Sequence, residues 1–257
     1  MPLSTPANRP TVIFCCCQRT GSTMVVDDFQ NVLGRPPSES EALWRFVLKP
    51  EDGPRNWEQA IALLEDYRKD EPVFYDKVMS FYLPQLSRMI DPAGHTPSSK
   101  PFADYFSGAT WVYIRRANVF EQAVSKYIAE ELGVWHYQHV QEDDFNARMA
   151  FDLELAKDYV RSLIGQDQEW VRFFREHKIK PLEIYYEDAV ANFPCYLDPL
   201  LKAIGMEVDP DGVPKRRMKK VGNERNKRLS EILREMYLRD LIFNQTNMRQ
   251  FFRHRFI

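Results

Sequence analysis

Cysteine is scarce, at four in 257 residues, and three of the four are consecutive (Cys15, Cys16 and Cys17) with Cys195 far away. That pattern supplies neither a disulfide framework nor the paired spacing of a zinc site, so no metal is expected. Buried cysteine packs as a small hydrophobe, and the triplet reads as core at the end of a strand. Long apolar runs are missing too. The opening stretch MPLSTPANRP has no basic-then-apolar layout, and the longest early apolar run, Val12 to Cys17, is too short to span a bilayer. No transmembrane segment and a cytoplasmic location are therefore expected. Glycine is sparse at 10 residues, and no Gly/Ser-rich linker, repeat or low-complexity tract divides the chain. Residues 1–257 read as a single domain, long enough for a substantial core. Net charge is small, with 35 Lys plus Arg against 37 Asp plus Glu, so the molecule as a whole has no nucleic acid as an expected partner.

What is present is the composition of an ordinary globular protein, 44% hydrophobic and 13% aromatic. Its charge is unevenly spread. From Pro214 to Ile257 there are 13 Lys/Arg against 4 Asp/Glu, which leaves 22 against 33 for Met1 to Val213. A basic tail on an acidic body suggests an anionic ligand or surface served by the C-terminal segment.

Thr11 to Cys17 (TVIFCCC) is a short apolar run rich in β-formers, as expected of a strand buried on both faces of a parallel sheet. Gln18 to Thr23 follows as a turn, and Met24 to Leu33 reads as helix. The layout recurs: Thr110 to Ile114 as strand, Arg115 to Asn118 as turn, Val119 to Leu132 as helix. A third strand is predicted at Pro181 to Tyr186, with a helix around Tyr196 to Ile204. Further helices are predicted at Trp57 to Lys69, Met149 to His177 and Leu229 to Leu241. Strands alternating with helices give an α/β fold with a central parallel sheet flanked by helices. In such folds ligands sit beyond the carboxyl ends of the strands, where the two turns fall.

The first turn has the parts of an anion cradle. Gly21 lets backbone N–H groups approach a ligand, the following helix N-terminus is partially positive, Ser22 and Thr23 bring hydroxyls, and Arg19 brings a full charge. It is not a Walker A loop, which would need glycine at Cys16 and lysine at Ser22. The plainer alternative is that Thr20 and Ser22 only cap the helix. In the second turn, Arg116 and the helical Ser125 offer a guanidinium and a hydroxyl to a second anion. A surface arginine and an inert helix serine are the alternatives.

Two blocks, CQRTGSTM (Cys17 to Met24) and YIRRANVFEQAVSKYIAEELGVWH (Tyr113 to His136), together resemble the bacterial sulfotransferases typified by trehalose 2-sulfotransferase and the related lipopolysaccharide and Nod-factor enzymes. Gly34-Arg35-Pro36 with acidic residues soon after, Lys77-Val78-Met79, EIYYE (Glu183 to Glu187) and the basic C-terminal stretch fall in the same order, so the resemblance covers nearly the whole chain. It implies a P-loop nucleotide-kinase-like sulfotransferase fold and a donor co-substrate, 3′-phosphoadenosine-5′-phosphosulfate. It further implies a hydroxyl acceptor, a carbohydrate or glycolipid by the relatives' example, and a homodimer.

Carried over residue by residue, the resemblance implies that Arg19, Thr20, Gly21, Ser22 and Thr23 hold the 5′-phosphosulfate and that Arg116 and Ser125 hold the 3′-phosphate. Arg19 would stabilise charge on the leaving phosphate. The cytosolic animal enzymes usually have lysine there. The general base would be a glutamate soon after the G-x-P element. Glu39 is the better match, at a spacing about one residue off, with Glu41 in reserve and His136 as a third group. Lys77 would reach the acceptor or the transferring group. Some of Arg216, Arg217, Lys219, Lys220 and Arg225 would close on the nucleotide. Trp44, Phe46, Trp57 and Trp135 are candidate sugar platforms, of which Trp57 reads better as core. A non-catalytic nucleotide-binding protein and a phosphoryl transferase are the competing classes.

Overall fold

The computed structural model describes residues 9–49, 56–94, 98–133, 150–207, 215–218 and 224–243. The chain divides into two compact units, Met1–Ala117 with Glu169–Lys219, and Asn118–Gln168 with Lys220–Ile257.

The first unit is built on four parallel strands: β1 (Thr11–Cys16), β2 (Phe74–Met79), β3 (Thr110–Arg115) and β4 (Leu182–Tyr185), in the order β2-β1-β3-β4. The parallel α/β expectation holds. β1 is buried at all six positions, as its TVIFCC run requires of an inner strand. β2 was not anticipated. Its sequence, FYDKVM, is also buried throughout, but Asp76 and Lys77 in the middle break the apolar run by which a buried strand is recognised.

Helices join the strands. They are α1 (Ser22–Val32), α2 (Trp57–Tyr67), α3 (Leu83–Ile90) and α4 (Lys100–Tyr105), with a π-helical turn at Trp44–Leu48 and a 3-10 turn at Ser80–Tyr82. A capping box starts α2: Asn56 Oδ1 accepts from Gln59 N at 2.8 Å, and Gln59 Oε1 accepts from Asn56 N at 3.2 Å. The core is aromatic. Phe29 meets Phe14 and Tyr75 edge-on at 5.4 and 5.6 Å, and the buried Trp170 donates its indole N–H to Cys16 O at 2.9 Å. Cys15, Cys16 and Cys17 are core residues, as is Trp57.

In the second unit, α5 (Val119–Leu132) starts at Asn118, whose side chain accepts from Phe120 and Glu121 amides, and ends at Gly133, with φ of 63°. α6 (Leu153–Glu176) contributes residues to both units. The helices predicted at Met149 to His177 and at Leu229 to Leu241 thus appear, with shifted ends, as α6 and as α9 below. In the first unit β4 runs directly into α7 (Tyr186–Ala191), and the helix expected at Tyr196 to Ile204 is a 3-10 turn followed by α8 (Asp198–Ala203). The last described helix is α9 (Glu224–Phe243). The second unit's core joins Val119, Ala123, Val124 and Ile128 to Val160 and Leu163 and to Leu233 and Leu241. Among the described residues no helix is long and apolar enough to cross a membrane.

Candidate active site

The register brings the carboxyl ends of the strands together. Cys16 lies opposite Met79 on one side and Ile114 on the other, and Arg115 opposite Tyr185. The turn after β1, the end of β2, Arg116 after β3 and Tyr186 after β4 therefore share one edge of the sheet, where an α/β fold puts its ligands.

Within the turn, Arg19 has φ of 62° and Gly21 φ of 80°, both in the left-handed region. Glycine is required at 21 for a second reason. A Cβ there would sit 2.3 Å from the ring of Tyr186, so the close approach is to an aromatic ring of this chain. Gly21 is the N-cap of α1, and no side chain caps the helix. Thr20 is buried and its hydroxyl donates to Cys17 O at 3.0 Å, which shapes the turn. Ser22 is buried against Cys16: burial pushes that thiol up to about 12, opposed by the Lys77 charge and a hydrogen bond with Ser22. Thr23 Oγ1 accepts from Lys77 Nζ at 3.1 Å.

Arg116 donates to Arg19 O at 3.4 Å, and its guanidinium lies over the Tyr186 ring, 4.6 Å from the centroid. It braces the first turn. Ser125 is a half-buried residue of α5 in the second unit.

Lys77 is the group on which the carboxylate side of the site converges. Its side chain is 2% exposed, and besides Thr23 it pairs with Glu41 Oε1 at 2.8 Å. Glu41 Oε2 accepts from Tyr82 OH at 3.0 Å. Burial, and then Glu41, push the Tyr82 phenol well above its ordinary range. Glu39 is placed differently, with its Oε1 accepting from Glu41 N at 2.9 Å. Of the two carboxylates, Glu41 is the one tied, through Lys77, to Thr23 after β1.

The chain from Ser38 to Leu43 follows the edge strand β2. Lys77 N donates to Ser40 O at 2.8 Å. Arg68, fully buried with its guanidinium 3.9 Å from the Tyr75 ring centroid, donates to Ser38 Oγ and Tyr75 OH at 2.9 and 2.7 Å and to Glu39 O. Asp76 accepts from the Ala42 and Leu43 amides at 2.8 and 3.0 Å.

Four contributors were not foreseen: Arg68, Asp76, Tyr82 and Tyr186. A signal existed for Asp76, since adjacent opposite charges inside a β-forming stretch are unusual unless the strand has work for them. The basic segment divides. Arg216 pairs with the fully buried Asp28 at 2.8 Å, lies over Phe193, and donates to Ala189 and Val190 carbonyls. Arg217 pairs with Asp27 at 3.0 Å and donates to Arg35 O at 2.7 Å. Both are engaged in pinning the segment beside α1. Lys219, Lys220, Trp135 and His136 lie outside the described residues.

A cavity of about 840 Å³ lies elsewhere in the first unit, lined by residues such as Trp111, His177 and Lys180. It is lined by the amino-terminal residues of β3 and β4, Thr110 and Leu182, and has no part in this site.

A family model described as Stf0 sulphotransferase matches residues 11–235. No curated protein matches the chain. Among solved structures, a sulfotransferase from Alicyclobacillus acidocaldarius is similar, with 16% identity and a TM-score of 0.50 over 92% of this chain and 94% of that one. A sulfotransferase domain from the curacin biosynthetic pathway gives 15% and 0.48, over 85% and 83%. One from the Synechococcus PCC 7002 olefin synthase gives 14% and 0.46, over 90% of each. At that identity the first likeness speaks for the fold.

Proposed function

Because the chain belongs to the Stf0 sulphotransferase family, we propose that it moves a sulfuryl group from 3′-phosphoadenosine-5′-phosphosulfate to a hydroxyl of a carbohydrate or glycolipid. The observation that carries this reading is the buried Lys77 joining the anion loop, at Thr23, to the Glu41 carboxylate. An anion cradle and a carboxylate meet on one ammonium group. Sulfuryl transfer to an alcohol needs both, one to hold the transferring and leaving groups and one to take the proton.

The donor supplies a sulfuryl group already activated as a mixed anhydride. The uncapped start of α1 and the Arg19 charge bind its 5′ end. As the anhydride S–O bond breaks and the acceptor O–S bond forms, the leaving phosphate gains negative charge, which Arg19 offsets. Arginine stays protonated, so it acts through its field. Glu41 takes the acceptor hydroxyl proton. A carboxylate has about four lone-pair sites, so the contacts with Lys77 and Tyr82 leave room for a third partner. Glu39, through Glu41 N, supports the same segment. Arg116 and Ser125 are assigned to the 3′-phosphate by the resemblance. A cytoplasmic location and a homodimer belong to the same reading and are checked by fractionation and light scattering.

The test is transfer of label from the sulfur-labelled donor into a panel of glycosides, glycolipids and small alcohols. Label in a sulfate ester supports the reading. Tight binding of adenosine 3′,5′-bisphosphate with no transfer to any acceptor makes the chain a nucleotide-binding protein instead.

A further inference from the structure

A base is only as well placed as the backbone that carries it. Glu41 sits in a connecting segment, and the residues just after it, Ala42 and Leu43, present their amides to one side chain, Asp76, at 2.8 and 3.0 Å. Asp76 is fully buried and immediately precedes Lys77, the partner of the Glu41 carboxylate. We propose that Asp76 is a positioning residue for Glu41: by gripping the two amides that follow it, Asp76 fixes where the Glu41 carboxylate stands relative to Lys77 and Thr23. This rests on the sulfuryl-transfer reading and deepens it.

A purely structural role would be better filled by another residue. Burying an ionised carboxylate is costly even when hydrogen-bonded, and an apolar or neutral side chain usually serves the fold better. Burial pushes the Asp76 carboxyl up to about 7. The Arg68 charge at the end of α2 and the Leu43 and Ala42 amides oppose the shift, and Glu41 adds to it. Lys77 adjoins it on β2, while the Cys16 thiol on β1 and the Tyr82 phenol after β2 are both raised in part by its charge. An unfolded aspartate titrates near 3.8. Between about pH 4 and pH 7 the folded chain therefore holds a proton that the unfolded chain has lost, and stability from this group declines as pH rises. At pH 8 the ionised group costs stability and accepts from both amides. Once protonated it presents a donor and grips less well.

The test uses Asp76→Asn, which keeps the shape and removes the charge. At pH 8, exchange of the Ala42 and Leu43 amide hydrogens should quicken at least about tenfold, the loss of a charge-assisted bond, while β1 amides stay as they were. In sulfuryl transfer with the panel above, kcat should fall about tenfold or more, with KM for the donor unchanged. Denaturation at pH 8 should show no loss of stability. In the wild type, protection of the two amides, corrected for intrinsic exchange, should fall as pH drops below about 7 and level off. If Asp76→Asn does not fold, that wild-type profile decides alone, and a flat one overturns the proposal. Unchanged exchange, or unchanged kcat with quickened exchange, in a wild type that transfers sulfuryl groups overturns the Asp76 role alone. No transfer by the wild type overturns the reaction reading and the positioning role together.

Discussion

The sheet-bearing unit has solvated ion pairs such as Lys100 with Asp104, and it also pairs charges below the surface: Lys77 and Glu41 are 2% and 22% exposed, Arg216 and Asp28 17% and 0%. In the helical unit the buried stem of Lys157 ends at Glu154 and Asp240, which are 75% and 56% exposed. The solvated pairs are worth ~0–1 kcal/mol. A buried pair carries a desolvation cost, and removing one member leaves the other stranded at ~3–5 kcal/mol. Burying charge is poor economy for stability, and these two buried pairs lie beside the turn after β1 and beside α1, where the proposed function gives their geometry a use. Both units have an apolar core, and in the helical unit Lys157 reaches carboxylates that stand in solvent.

The sharpest way to break the contrast is Glu41→Gln. If the buried charge serves chemistry, turnover should fall ~10²–10⁴-fold, the usual worth of a general base, with binding of adenosine 3′,5′-bisphosphate by calorimetry nearly unchanged. Glu39→Gln should cost less, since that carboxylate acts on Glu41 N. The reverse ranking would return the role to Glu39.

Next in size is Arg216→Ala, which strands Asp28. Chemical denaturation near neutral pH should show a loss of ~3–5 kcal/mol. Burial already raises the Asp28 carboxyl, against the pull of Arg216 and Tyr196, so removing Arg216 raises it further. A raised carboxylate contributes most below its unfolded value and loses that contribution as pH climbs. The deficit should therefore shrink as pH falls toward 4, and a deficit independent of pH would mean that packing on Phe193 is what was lost.

For Arg116, which braces the Arg19 carbonyl, a preference of at least about tenfold for adenosine 3′,5′-bisphosphate over AMP is expected from one charge-assisted contact. It should shrink in Arg116→Ala and in Ser125→Ala. Equal affinity of the wild type for the two nucleotides removes the assignment. The smallest effect belongs to the helical unit: Lys157→Met should change stability by no more than ~1 kcal/mol, and a larger loss would show that its charges are not the solvated kind.

The parallel sheet and the turn before α1 were legible because their causes are local. An unbroken TVIFCC run makes a buried strand wherever it occurs, and a glycine between hydroxyl residues before a helix makes a positively polarised turn. β2 was hidden by Asp76 and Lys77, whose burial makes sense only once Ala42, Leu43 and Glu41 are known to lie along it. Tyr186 read as the end of a strand, whereas it opens α7 and closes over Gly21.

Composition and order along the chain were enough to settle an α/β architecture with a strand–turn–helix at its start, because periodicity and turn chemistry act between near neighbours, and the motif blocks carried the resemblance to sulfotransferases. They were not enough to rank Glu39 against Glu41, two like carboxylates in one short segment. Only the fold distinguishes them: β2 offers an ammonium group to Glu41 and holds the backbone on either side of it. Likewise nothing in the run of basic residues marks Arg216 and Arg217 as the ones that meet Asp28 and Asp27. Pairing of charges distant in sequence depends on which surfaces the fold brings face to face, and burial then multiplies the energy of whichever pairs result.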